Sequence, residues 1–166
     1  MAHEQVLIVM GSASDLPVME AAKQILDELN VSASMRIASA HRTPEAVDEM
    51  AKNARDRGTR VIIAGAGYAA HLAGVIASKT TLPVIGVPLA SSDLLGIDSL
   101  LSTVQMPPGI PVATVGIGKA GAKNAAILAA QIIAVADKTV RKALETQRKN
   151  TADSVLQADR KLQQPE

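Results

Sequence analysis

The chain has 166 residues and a formal net charge of +1, a length that fits one domain able to bury a real core. No long basic run marks a nucleic-acid footprint, and with no cysteine there are no disulfides, thiolate zinc sites or cysteine nucleophiles. Missing cysteine fits a reducing compartment, no apolar run reaches spanning length, and residues 1–5 lack a signal-peptide pattern, so a soluble cytoplasmic protein is expected.

Val6-Leu7-Ile8-Val9-Met10 is a short continuous apolar run, the pattern of a strand covered on both faces. It ends in Gly11-Ser12-Ala13-Ser14-Asp15, after which Ala21, Ala22, Ile25, Leu26 and Leu29 line one face of a helix. Residues 34–39 read as a second, less apolar strand near a sheet edge. Then comes Ser39-Ala40-His41-Arg42-Thr43-Pro44, where strand hands over to helix. Proline suits a first helical turn and threonine can cap it, so the positive end of this helix points back at His41 and Arg42. The charged helix from Pro44 is expected to stop at Gly58.

Residues 60–64 form the third predicted strand, followed by Gly65-Ala66-Gly67-Tyr68-Ala69-Ala70-His71 and a small-residue helix to about Lys79. A fourth strand spans 83–88, and 91–104 reads as partly helical. Gln105-Met106-Pro107-Pro108-Gly109 must be a loop, because two prolines and a glycine forbid continuation. A fifth strand is expected over 111–117 and a helix over 120–136. The centre of that helix, Ala125 to Ala136, has one polar residue, so burial on all sides is expected, and a charge at Ala129 should disrupt assembly. The last thirty residues carry twelve charges and read as a helical, partly exposed arm.

Two features of composition constrain function. Tyr68 is the only aromatic residue, so a flavin or base sandwiched between aromatic rings is disfavoured. Between Val61 and Gly118 the only Asp, Glu, Lys or Arg residues are Lys79, Asp93 and Asp98. A small monomer cannot hide so much uncharged chain, which points to burial against other copies. Five strands alternating with helices imply an α/β chain, a three-layer α/β/α sandwich with a five-stranded parallel sheet in the flavodoxin-like order 2-1-3-4-5. A single domain over 1–166 is expected, with a core of about 6–136 and a C-terminal helical arm of about 137–166. Ligands in such sheets sit beyond the carboxyl ends of the strands, where the three richest loops here converge.

Each loop has an ordinary reading beside a functional one. Gly11 to Asp15 can cradle a phosphate with backbone N–H groups and the Ser12 and Ser14 hydroxyls, while Asp15 accepts from ribose hydroxyls; the same residues are also ordinary helix caps. It lacks the Gly-Lys-Ser/Thr ending of nucleoside triphosphatases. A histidine beside a fixed cation at a helix start suggests chemistry on an anionic substrate, yet His41 and Arg42 alone also fit a loop histidine and a surface arginine. His71 fits a structural hydrogen-bonding role. Neither histidine has a carboxylate or histidine three or four residues on, so a metal site is weakly supported. Gly116-x-Gly118-x-x-Gly121 and Gly65-x-Gly67-x-x-Ala70 match a dinucleotide fingerprint formally but lack its context, and read as close-packing turns.

Taken together the motifs resemble a known family. Met10-Gly-Ser-Ala-Ser-Asp15, Ser39-Ala-His-Arg-Thr-Pro44, Ile63-Ala-Gly-Ala-Gly-Tyr-Ala-Ala-His-Leu72, Leu82-Pro-Val-Ile-Gly-Val-Pro88, Asp98-Ser-Leu-Leu-Ser-Thr-Val-Gln-Met-Pro107 and Gly118-Lys-Ala-Gly121 occur in order. Over about residues 6–147 they are similar to class I N5-carboxyaminoimidazole ribonucleotide mutase of purine (IMP) biosynthesis. The resemblance implies an isomerase that moves a carboxylate from an exocyclic nitrogen to a ring carbon, through aminoimidazole ribonucleotide and trapped CO₂. It implies no metal and no cofactor, and a homo-octamer with sites at subunit junctions.

By the same resemblance His41 is the general acid and base, a role suited to a side chain that gives and takes a proton near neutral pH. Ser12 and Arg42 bind phosphate with Ser14 assisting, Asp15 binds ribose, and Ser39 and Ala40 flank them. Gly65, Ala66, Gly67, Ala69, Ala70, His71 and Leu72 line the base and CO₂ pocket, and 105–107 belong to a closing loop. Tyr68 and Ala73 stand where the family usually has glycine and proline. Two alternatives are direct CO₂-dependent carboxylation of aminoimidazole ribonucleotide and a non-catalytic nucleotide-binding module of the same fold.

Overall fold

The strand Val6–Met10 (β1) is buried at every position and is the central rail of the fold. The computed structural model describes residues 4–163, so His3 and most of the N-terminal segment 1–5 lie outside the described residues. A turn of 3₁₀ helix over Ala13–Asp15 leads into α1 (Leu16–Glu28), then β2 (Ala33–Ile37), α2 (Pro44–Asn53), β3 (Val61–Ala66) and α3 (Leu72–Ala77). The chain continues through β4 (Val84–Pro88), α4 (Ile97–Val104), β5 (Ala113–Thr114), α5 (Gly118–Ala134) and α6 (Lys138–Gln163).

The sheet is parallel throughout, in the expected order β2-β1-β3-β4-β5. Alternation along β1 divides the core, because successive side chains leave a strand on opposite faces. Val6, Ile8 and Met10 join Met19 and Leu26 of α1 and Ala126 and Ala130 of α5 in one cluster. Leu7 and Val9 join Val47 and Met50 of α2 and Leu72 and Ile76 of α3 in the other. Parallel strands send their carboxyl ends to one edge, so the loops after β1, β2 and β3 necessarily meet there.

Three elements depart from expectation, the first being α2, which ends at Asn53 rather than running on to Gly58. β5 has two residues rather than seven. It is an edge strand, Pro111 has no N–H to donate, and its residues are not buried. α5 is not buried all round: Lys123, Asn124 and Gln131 are exposed, and Val135 beyond its end is 79% exposed. Its alanine face, with Ala125, Ala126, Ala129 and Ala130 all at 0% exposure, packs on α1 and the sheet of its own chain. Ala129 is thus a core residue of the protomer, and a charge there attacks folding before assembly. The stretch Gly116 to Gly121 is the close-packing turn expected, since a Cβ on Gly121 would overlap the Gly116 carbonyl.

α4 inverts the usual rule. Its buried positions are Ser99 and Thr103, while Ile97, Leu101 and Val104 are exposed. The hydroxyls are tolerated inside because each finds a carbonyl: Ser99 Oγ donates to Leu89 O and Gly96 O, both at 2.9 Å, and Thr103 Oγ1 to Ser99 O at 2.7 Å. With Leu94 and Leu95 just upstream, the apolar side chains make an uncovered surface. α6 runs 26 residues, about 39 Å, and buries only Val140. No helix among the described residues is long and apolar enough to cross a membrane.

Candidate active site

The loop after β1 is tied down by its own side chains. Ser12 caps the 3₁₀ turn, its Oγ accepting from Ser14 N at 3.3 Å and from Ser14 Oγ at 2.9 Å. Asp15, 6% exposed, is the acidic residue carried into the floor of this loop. Burial pushes its carboxyl up from the ordinary value, against backbone hydrogen bonding at Ser12 and Gly11 and the nearby Arg42 charge.

The loop after β2 is closed by a ring of bonds between Ser39 and Thr43. Ser39 N donates to Thr43 Oγ1 at 2.9 Å, and Thr43 Oγ1 donates to Ser39 O at 3.2 Å. Thr43 holds the N-cap position of α2 but makes no side-chain capping bond, because its hydroxyl is spent on this ring. The expected threonine cap is therefore replaced by a loop clasp. Ser39 Oγ accepts from Arg42 N at 3.2 Å and Nε at 3.4 Å, and Arg42 Nη2 donates to Gly11 O at 2.9 Å. The guanidinium thus stitches the β1 and β2 loops together, with its charge over the Ser12–Asp15 turn.

The loop after β3 brings the second histidine to the first. His71 stands at the N-cap of α3, and its Nδ1 lies 2.8 Å from His41 Nε2, the rings meeting edge to face at 4.9 Å. In a neutral pair one ring donates across this bond and the other accepts. One outward nitrogen then carries a lone pair and the other an N–H. Those roles exchange by a relay in which the outward lone pair takes up a proton, the bridging proton crosses and the other outward N–H is released, so the pair can offer a base and an acid side by side.

These groups surround one cavity of about 430 Å³. Ser12, Ser14 and Asp15 line it from the first loop, Ser39, Ala40, His41 and Arg42 from the second, and Ala66, Gly67, Ala69, His71 and Leu72 from the third. Gly65 and Ala70 are not in the lining: Gly65 is buried in β3, its carbonyl accepting from Gly11 N at 3.2 Å, and Ala70 is 2% exposed. The lining adds Gly11, Tyr68 and Ser91, of which Ser91 gave no signal beyond following a strand. Gly67 is required where it stands, since a Cβ there would overlap Ser91 Oγ. The 105–109 loop contributes nothing to the lining of this protomer; Met106 lies against Gly74 of α3 instead. Among the described residues no three or more of His, Cys, Asp and Glu cluster to hold a metal. Larger grooves of about 910 and 920 Å³ flank α6 and the 77–84 turn, and neither contains a histidine.

Residues 5–154 match the family model described as AIR carboxylase. The chain is 57% identical over 155 residues to the N5-carboxyaminoimidazole ribonucleotide mutase of Bacillus subtilis, covering 93% of this chain and 96% of that one. The mutase of Escherichia coli K12 is 54% identical over 92% of this chain and 90% of its own. Among solved structures, Treponema denticola PurE superimposes with a TM-score of 0.87 at 32% identity, covering 97% of this chain and 99% of that one.

Proposed function

The chain belongs to the AIR carboxylase family, and from that premise we infer that it is an N5-carboxyaminoimidazole ribonucleotide mutase. It converts the N-carboxylated ribonucleotide to 4-carboxy-5-aminoimidazole ribonucleotide in purine biosynthesis. The observation that supports this most is the convergence on one cavity of a hydroxyl-rich helix-start turn, a cation and a hydrogen-bonded histidine pair. An anionic sugar phosphate needs the first two, and a carboxylate shift that leaves no net proton behind needs the third.

In this reading Ser12 and Arg42 hold the phosphate with Ser14 assisting, and Asp15 accepts from the ribose hydroxyls. His41 protonates the exocyclic nitrogen as its bond to the carboxylate breaks and CO₂ departs. The ring carbon attacks the held CO₂, and His41 then takes the proton from that carbon. The proton lent in the first step is recovered in the last, so His41 ends as it began. His71 holds the His41 ring, while Ala66, Gly67, Ala69 and Leu72 form the wall that keeps CO₂ from water. Gly65 and Ala70 support this wall from behind.

We assign the working form to a homo-octamer with sites at subunit junctions. The exposed Leu94, Leu95, Ile97, Leu101 and Val104 beside an otherwise uncharged stretch support burial against further copies. The chain acts as one domain with an arm from about residue 137, and lack of cysteine suits a cytoplasmic setting.

The test is turnover of N5-carboxyaminoimidazole ribonucleotide without added bicarbonate, wild type beside His41→Asn. A general acid–base group contributes about 10²–10⁴-fold, so the variant should lose at least the lower figure while staying folded. Wild-type activity only on aminoimidazole ribonucleotide with CO₂ would instead establish direct carboxylation.

A further inference from the structure

Tyr68 is the one residue of the cavity wall whose backbone is strained and whose side chain has no hydrogen-bond partner among the described residues. Its φ is +54°, in the left-handed region that glycine enters freely and a bulky side chain does not. The side chain is 63% exposed and its hydroxyl makes no hydrogen bond among the described residues, so neither packing nor bonding within the protomer explains it. Its neighbours fix the conformation. Gly67 is pressed against Ser91, Ala66 O accepts from Leu89 N at 2.9 Å, and Ala69 O accepts from His71 N at 2.8 Å. The turn cannot relax without moving His71, and the phenol is held at the cavity.

We propose that Tyr68 is a specificity-determining residue whose ring packs against the flat heterocycle of the bound ribonucleotide. The proposal rests on the mutase reading for the identity of the ligand. Beside His71 and Ser91, the rest of the wall is alanine, glycine and leucine, and the charged groups that suit phosphate and ribose lie on the other two loops. The His41 and His71 imidazoles are turned edge to face on each other, so the exposed Tyr68 phenol is the aromatic face left for a planar aminoimidazole ring. A strained residue kept at a functional site is the pattern expected when the strain serves binding.

The chain itself supplies the probe. With one tyrosine, no tryptophan and no phenylalanine, its intrinsic emission reports on Tyr68 alone. Titration with 4-carboxy-5-aminoimidazole ribonucleotide should change that emission saturably, after correction against free tyrosine amide at equal absorbance. Ribose 5-phosphate, which has no heterocycle, should change it far less. Tyr68→Gly fits the backbone and should keep its Tm, yet raise KM on the order of five- to tenfold with kcat held within about twofold. Tyr68→Phe should behave as wild type. Emission unmoved by a ribonucleotide that the enzyme turns over, or an unchanged KM in Tyr68→Gly, would overturn the proposal. So would emission that follows dissociation of the oligomer and ignores the ligand. A saturable emission change without any turnover would leave Tyr68 a ligand contact and refute the mutase reading instead.

Discussion

α4 and α5 are both poor in charge, and they meet opposite fates. α5 turns its alanines inward and finds α1 and the sheet of its own chain, leaving Ala125 to Ala130 largely sealed. α4 turns serine and threonine inward and leaves Leu101, Ile97 and Val104 in solvent. Small alanines let α5 approach closely and bury its whole face, whereas α4 lies over β4 and β5, where the sheet is running out. Apolar composition therefore says that a surface will be covered. It does not say whether the cover comes from the same chain or another copy.

Charges placed on the two helices separate these cases most sharply. Ala129→Glu buries an unpaired carboxylate with no room for it, an insult of several kcal/mol against a total stability of about 5–15. The expected outcome is loss of the folded protein, seen as a collapsed Tm or insoluble expression. A soluble Ala129→Glu protein of normal Tm would refute the placement of α5 in the core. Leu101→Glu, more than half exposed, should fold and keep its far-ultraviolet spectrum. Light scattering should then report smaller species, and a full-sized oligomer would remove α4 from the interface.

Smaller effects are expected inside the cavity. His71→Ala removes the bond that orients His41 and should lower kcat on the order of tenfold or more, with KM within about twofold. His71→Gln, able to keep that bond, should recover part of the loss. An equal loss in both variants would mean that His71 acts by more than positioning.

The smallest effect concerns Asp15. Its folded carboxyl titrates above its unfolded value, so ionising it costs the native state stability at neutral pH. That penalty grows as pH rises through the folded value and is gone below the unfolded one. Asp15→Asn should therefore raise Tm slightly at pH 7, and the gain should vanish at acid pH while ribonucleotide affinity falls at neutral pH. A Tm lowered at pH 7 would contradict the sign.

Much of this arrangement is written locally. Continuous apolar runs at 6–10, 61–64 and 84–88, separated by helical periods, determine a parallel sheet, because only strands covered on both faces read that way. The same runs fix where the loops after β1, β2 and β3 must converge, and so the positions of Ser12, Asp15, His41 and Arg42. Tertiary structure alone decided what depends on distant partners. It reduced β5 to two residues, sent the Thr43 hydroxyl to Ser39, joined His41 to His71 across thirty residues of chain, and brought Ser91 to the cavity. It also turned α4 inside out: Thr103 donates to Ser99 O within the helix, but the Leu89 carbonyl that accepts from Ser99 becomes available only once β4 and its following loop are in place. Periodicity carries the first kind of information because it is a property of neighbours in sequence. Hydrogen bonds and close contacts between loops carry the second, and those exist only in three dimensions.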